Sequence, residues 1–169
     1  VVFEEFPAGT LVTDQYRGQG LVFNVTGGDL QITSARPDKF VPVSPDRVFA
    51  DPAFPPAAAG RVEFTFAVPG TATPAATNYF SLYVIDAETT GAGVTAYDTG
   101  GTVVFDQTYH GGGASREQVI IQEPSIARVA VTLGDSADTS AIDSICFATP
   151  VQIAPPVIAD IADAVAGEA

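Results

Sequence analysis

Hydrophobic residues in this chain recur at every second position, and that period constrains the fold more than any other feature. In RVEFTFAV, residues 61–68, Val62, Phe64, Phe66 and Val68 fall on one side and Glu63 and Thr65 on the other. Side chains of an extended strand alternate between faces, so this segment reads as a strand with one buried and one wet face. YFSLYVID repeats the pattern with Phe80, Leu82 and Val84, while Tyr79, Tyr83 and Ile85 make its second face apolar as well. TVVFDQTY places Val103 and Phe105 together, and ARVAVTL aligns Val129, Val131 and Leu133. GLVFNV, GDLQIT and QVIIQE read as further short strands, and TGGD, PGTATPAATN, TGAG, DTGG and HGGG as turns. Short strands separated by turns at intervals of about 8–12 residues mark an antiparallel sandwich or barrel. No helical period appears before residue 155.

Two stretches break the rhythm. Residues 34–59 are too rich in proline for central strands, because proline donates no ladder hydrogen bond. They read as a long surface crossover with one short edge strand, either a plain inter-sheet connection or a ligand-bearing loop. Residues 150–169 form a Pro/Ala-rich tail beyond a domain spanning 1–149. There Ile158, Ile161 and Val165 recur at helical spacing with Asp160 and Asp163 opposite, which suits a linker or one short amphipathic helix.

Charge narrows the partners. Seven Lys and Arg stand against twenty Asp and Glu, a net charge of −13. Nucleic acid and acidic membrane surfaces need clustered cations and are disfavoured on that ground, whereas cations, calcium above all, are favoured. No apolar run approaches the roughly 18 residues of a membrane span. Cys146 is the only cysteine, so no intrachain disulfide or Cys-rich zinc site exists, and it reads as a small buried hydrophobe. Val1 and the absence of Met suggest a processed protein or an excised piece. Few cations, many Asp, Thr, Gly and Pro, and one Cys suit a bacterial protein that is secreted or held at the cell surface.

Catalytic readings fail in turn, and no catalytic residues are assigned. His110 is the only histidine, which removes multi-histidine metal sites. HGGG at 110–113 is similar to an esterase oxyanion loop but lacks the G-x-S-x-G elbow downstream. GDSA at 134–137 stands in the wrong order relative to histidine for a serine hydrolase. No acid pair is singled out as a glycosidase would require, and no P-loop or dinucleotide fingerprint appears.

The ends of the chain raise a sharper question. In AIDSICF, residues 141–147, alternation puts Asp143 on the face of Ile145 and Phe147. A carboxylate facing a core is costly unless it is paired or bound to metal. The opening VVFEEF, read as a strand, sets Glu4 and Glu5 among large apolar neighbours. Were these terminal strands to pair, Glu5 and Asp143 would approach each other, and carboxylates from both plus backbone carbonyls would suit calcium. The alternatives are an Arg partner such as Arg17 or Arg128, or a capped loop beside the sheet edge.

VVFEEFPAGTLVTDQYRGQGLVF, NYFSLYVIDAE, VTAYDTGGTVV, IARVAV and AIDSICF fall in an order that resembles secreted bacterial jelly-roll modules of the galactose-binding-like and carbohydrate-binding kind. The resemblance spans residues 3–148 and implies an all-β, antiparallel β-sandwich of jelly-roll type. It implies a structural calcium ion tying the first and last strands, with Glu5, Asp143 and Glu4 as ligands and carbonyls near Arg17 and Gly18 completing the shell. Where the pattern often carries a second acid after the last Asp, this chain has Ser144.

Sugar binding uses exposed aromatic platforms flanked by polar groups, and this chain has no Trp. The candidates are Tyr97 and Tyr109, each near a Gly-rich tip, with Asp98, His110 and Arg116 as polar partners. The expected function is a non-catalytic extracellular binding module for carbohydrate. The alternative is a structural or self-assembling surface, filament or matrix subunit that partners other copies of itself or cell-surface components.

Overall fold

A computed structural model describes residues 1–34, 42–53, 59–87, 90–111, 115–134 and 140–153. Two short 3-10 turns, Phe3–Glu5 and Arg17–Gln19, precede the strands. In chain order these are β1 (Leu21–Gly27), β2 (Gln31–Ser34), β3 (Arg47–Ala50), β4 (Arg61–Ala67), β5 (Pro74–Ala76) and β6 (Phe80–Ile85). They continue with β7 (Ala92–Asp98), β8 (Val103–Tyr109), β9 (Arg116–Ile121), β10 (Ile126–Thr132), β11 (Ala141–Phe147) and β12 (Val151–Gln152). The tail beyond residue 153 lies outside the described residues.

The strands form two antiparallel sheets packed as a jelly-roll β-sandwich. The larger, seven-stranded sheet runs β12-β5-β4-β10-β7-β8, with β1 on the other side of β4. The five-stranded sheet runs β2-β3-β11-β6-β9. Alternation sorts the side chains as the sequence requires. Val62, Phe64 and Phe66 of β4 and Val129 and Val131 of β10 enter the core between the sheets, while Arg61, Glu63 and Thr65 face outward. On β6, Phe80, Leu82 and Val84 join that core; Ile85, on the opposite face, joins a second cluster with Val48, Ala50 and Ala141.

Four local expectations are corrected. VVFEEF opens as a 3-10 turn rather than a strand: burying Phe3 against Tyr16, Phe23 and Phe49 turns the chain inward. The proline-rich crossover contains β3 as an interior strand between β2 and β11, because Arg47–Ala50 is itself free of proline. In β8 the register shifts opposite Ala96 and Tyr97, so Val103 pairs with Tyr97 and Phe105 with Ala96. One extra residue thus sends Phe105 toward the core and leaves Val103 exposed. Cys146 is exposed for the same kind of reason, a shift in β11.

Gly20 marks a close approach. Its φ is +94°, and a Cβ there would lie 2.7 Å from the Ala67 carbonyl oxygen, so only glycine lets this turn pack beside β4.

Candidate functional site

Asp143 lies where β11 bulges. Its partner on β6 is Tyr83, but the next paired residue is Cys146 with Ser81, and Ser144 takes the extra step at φ 50°. The bulge returns Ile145 to the core face of Ile142, so Asp143 does not share a face with Ile145 as strict alternation implies. It lies instead on the side of Ala141, under the loop of residues 42–46, and is fully buried.

Its oxygens are filled by donors. Oδ2 accepts from the backbone N–H of Val43 at 2.7 Å and of Ser44 at 2.8 Å. Oδ1 accepts from Ser44 Oγ at 2.8 Å and from the Ser144 N–H at 2.6 Å. Glu4 works on the same loop: its Oε1 accepts from the N–H groups of Asp46 at 2.9 Å and Arg47 at 2.8 Å. Two carboxylates, one from each end of the chain, thereby hold four backbone donors of residues 43–47. Val1 completes the tie, exchanging backbone hydrogen bonds with Ile145. Of the alternatives open for Asp143, the capped loop is the one the geometry presents.

These residues do not fit a calcium ion. Hydrogens of N–H and O–H groups point at the oxygens a cation would need, and the Arg17 carbonyl is taken by the N–H groups of Gly20 and Gly70. Glu5 is exposed; its charge, together with the larger effect of burial, raises the pKa of the buried Tyr16 hydroxyl. Among the described residues no three His, Cys, Asp or Glu side chains gather as a metal site. Nor, among the described residues, does an Arg pair with Asp143: Arg17 sits 3.9 Å from Asp14, and Arg128 sits 2.8 Å from Glu63. A thermal melt is expected to give midpoints within about 1 °C of each other in millimolar calcium and in excess chelator. A calcium-dependent rise abolished by Asp143→Ala would contradict this geometry.

The five ligand candidates do not converge. Tyr97 and Asp98 lie at one end of the β7–β8 pair, Tyr109 and His110 at the other, about 20 Å apart at 3.4 Å per residue. Asp98 closes its own turn, with Oδ1 accepting the N–H groups of Gly100 and Thr102, both at 2.8 Å. Tyr109 belongs to the core, its hydroxyl donating to Gln107 Oε1 at 3.1 Å; burial and then the Glu117 charge raise its pKa. His110 is exposed and packs against Gly91, where a Cβ would come within 2.7 Å of its ring. Arg116 is exposed at the start of β9, in the other sheet.

Tyr97 alone stands in a built array. On the outer face of the seven-stranded sheet, register aligns Thr65, Arg128 and Tyr97 in one row across β4, β10 and β7. The next row aligns Asn24, Glu63, Ala130, Thr95 and Asp106 across β1, β4, β10, β7 and β8. The third sets Arg61, Thr132, Gly93 and Thr108 together. The Arg128 guanidinium carbon lies 3.8 Å from the Tyr97 ring centroid and its Nη1 donates to Glu63 at 2.8 Å. Arg61 donates to the same carboxylate at 3.2 Å, and Thr95 to Asp106 at 2.9 Å. The outward direction of Arg61, Glu63 and Arg128 follows from alternation, but their meeting depends on β4 lying beside β10, some 60 residues away in sequence.

No protein-family profile matches this sequence, and no curated protein does. Solved structures do. The K2 cleaved adhesin domain of Lys-gingipain superposes with a TM-score of 0.57 at 15% identity, over 87% of this chain and 95% of that one. TmCBM61, solved in complex with β-1,4-galactotriose, gives 0.48 at 13% identity over 83% and 99% of the two chains. The family 29 carbohydrate-binding module CBM29_1 from Piromyces equi gives 0.42 at 12% identity over 75% and 80%. The adhesin match establishes a shared fold; the other two are weaker and carry no conclusion about a ligand. Among the described residues no helix is long and apolar enough to cross a membrane.

Proposed function

We propose that this chain is a non-catalytic, extracellular carbohydrate-binding module whose ligand surface is the outer face of the seven-stranded sheet. The observation that carries the reading is the array Arg61–Glu63–Arg128–Tyr97, fixed by its own bonds on neighbouring strands. A sugar ring offers hydroxyls in pairs and an apolar face, which planar guanidinium and carboxylate groups and a tyrosine ring match. Because these side chains already hold one another, binding orders little that is not ordered beforehand. Acids of this face are poorly placed for hydrolysis: Glu63 and Asp106 lie three strand spacings apart, about 14 Å. That exceeds the largest separation, about 9.5 Å, used by paired carboxylates on a glycosidic bond.

Affinity electrophoresis against a panel of soluble polysaccharides tests the assignment. Tyr97→Ala and Arg128→Ala are each expected to weaken binding by about tenfold or more, with Tyr109→Phe unchanged. Retained binding in both of the first two variants would remove the ligand from this face.

A further inference from the structure

The two arginines of this face are arranged unlike an ordinary surface pair. Arg128 Nη1 and Arg61 Nη2 donate to the same atom, Glu63 Oε1, at 2.8 and 3.2 Å. Two cations on one anion leave a local surplus of one positive charge, in a chain with seven Lys and Arg against twenty Asp and Glu. The anion is also the deeper partner: the Glu63 side chain is 17% exposed, against 43% for Arg61 and 34% for Arg128. A guanidinium carries five N–H donors, and the contact with Glu63 takes one from each. The stack on Tyr97 sets the plane of Arg128. Beside this pair the surface stays low, for Ala130 is buried and a Cβ on Gly93 would meet nothing within 4 Å.

We infer that the glycan bound here carries a carboxylate: an isolated uronate on an otherwise neutral chain, gripped between Arg61 and Arg128. The inference rests on the carbohydrate reading of this face and deepens it. Guanidinium forks match a planar carboxylate in bidentate fashion, and the Glu63 carboxylate keeps both forks aimed while they wait. The uronate is isolated because its neighbours along the sheet would meet Asp106, and because a net charge of −13 opposes a polymer charged at every residue.

The experiment is an oligosaccharide array in which each uronate-bearing glycan stands beside its carboxyl-reduced counterpart, with neutral and sulfated glycans alongside. Wild-type protein is expected to bind at least one uronate glycan and to lose about tenfold or more on carboxyl reduction. Arg61→Gln, checked by an unchanged melting curve, is expected to erase that difference, and added salt to diminish it. Equal binding of acid and reduced forms, or binding of neutral or sulfated glycans alone, overturns the carboxylate inference and leaves the module reading standing. No binding to any glycan overturns both.

Discussion

Asp143→Ala is expected to destabilise the domain by about 3–5 kcal/mol, measured by urea unfolding. The substitution leaves the N–H groups of Val43 and Ser44 facing a void where a carboxylate had accepted them. Each buried donor stripped of its acceptor costs about 1–3 kcal/mol, and hydrogen bonds to charged groups are the stronger kind. The Ser44 hydroxyl and the Ser144 N–H, which holds the bulge, lose their acceptor as well. Against a total stability of about 5–15 kcal/mol, that is a large fraction. Asp143→Asn separates geometry from volume. It fills the site but must turn an NH2 group toward donors, so an intermediate loss of about 1–3 kcal/mol is expected. A change below about 1 kcal/mol in Asp143→Ala would mean the loop is held by something else.

Phe23→Ala is the second large effect. Phe23 lies at the meeting point of four aromatic rings: Phe64 at 4.9 Å, Phe49 at 5.6 Å, Tyr16 at 5.7 Å and Phe3 at 6.2 Å between centroids. Those rings come from β4, from β3 in the opposite sheet, and from the amino-terminal segment. Truncation removes a ring that touches all four and opens a cavity that three separate elements must collapse to fill. A loss of about 3–5 kcal/mol is expected, the range for buried Phe→Ala. At about 2–4 °C per kcal/mol for a domain of this size, the melting midpoint falls by roughly 10 °C. Phe23→Leu, which keeps most of the volume, is expected to lose less than half as much. Equal losses in the two variants would show that ring edges, not volume, hold this region.

Strand-by-strand burial was legible in the sequence because each strand obeys one local rule. Val62, Phe64 and Phe66 alternate with Glu63 and Thr65 in the chain as they do in the sheet. What escaped were single-residue departures from the rule. A bulge leaves no mark in composition, yet the one at Ser144 decides whether Asp143 faces a core or a loop. The turn at Phe3–Glu5 escaped for a related reason: FEE is as compatible with an extended strand as with a 3-10 turn until the aromatic pocket is known. Tyr97 was legible as a candidate from its place near a turn. Its partners were not, since Arg61 and Glu63 on β4 reach Arg128 only through a pairing that no local pattern encodes.

The position of β11 has a consequence for how the chain comes into being. It lies between β3 and β6, joining β2-β3 to β6-β9, and it is the last strand of its sheet to be synthesised. Until it emerges, the five-stranded sheet is two separate ribbons with bare inner edges, and the Val43 and Ser44 donors wait for an acceptor 99 to 100 residues downstream. The five-stranded sheet therefore cannot close before residues 141–147 have left the ribosome, and every product truncated before residue 141 presents two sticky edges.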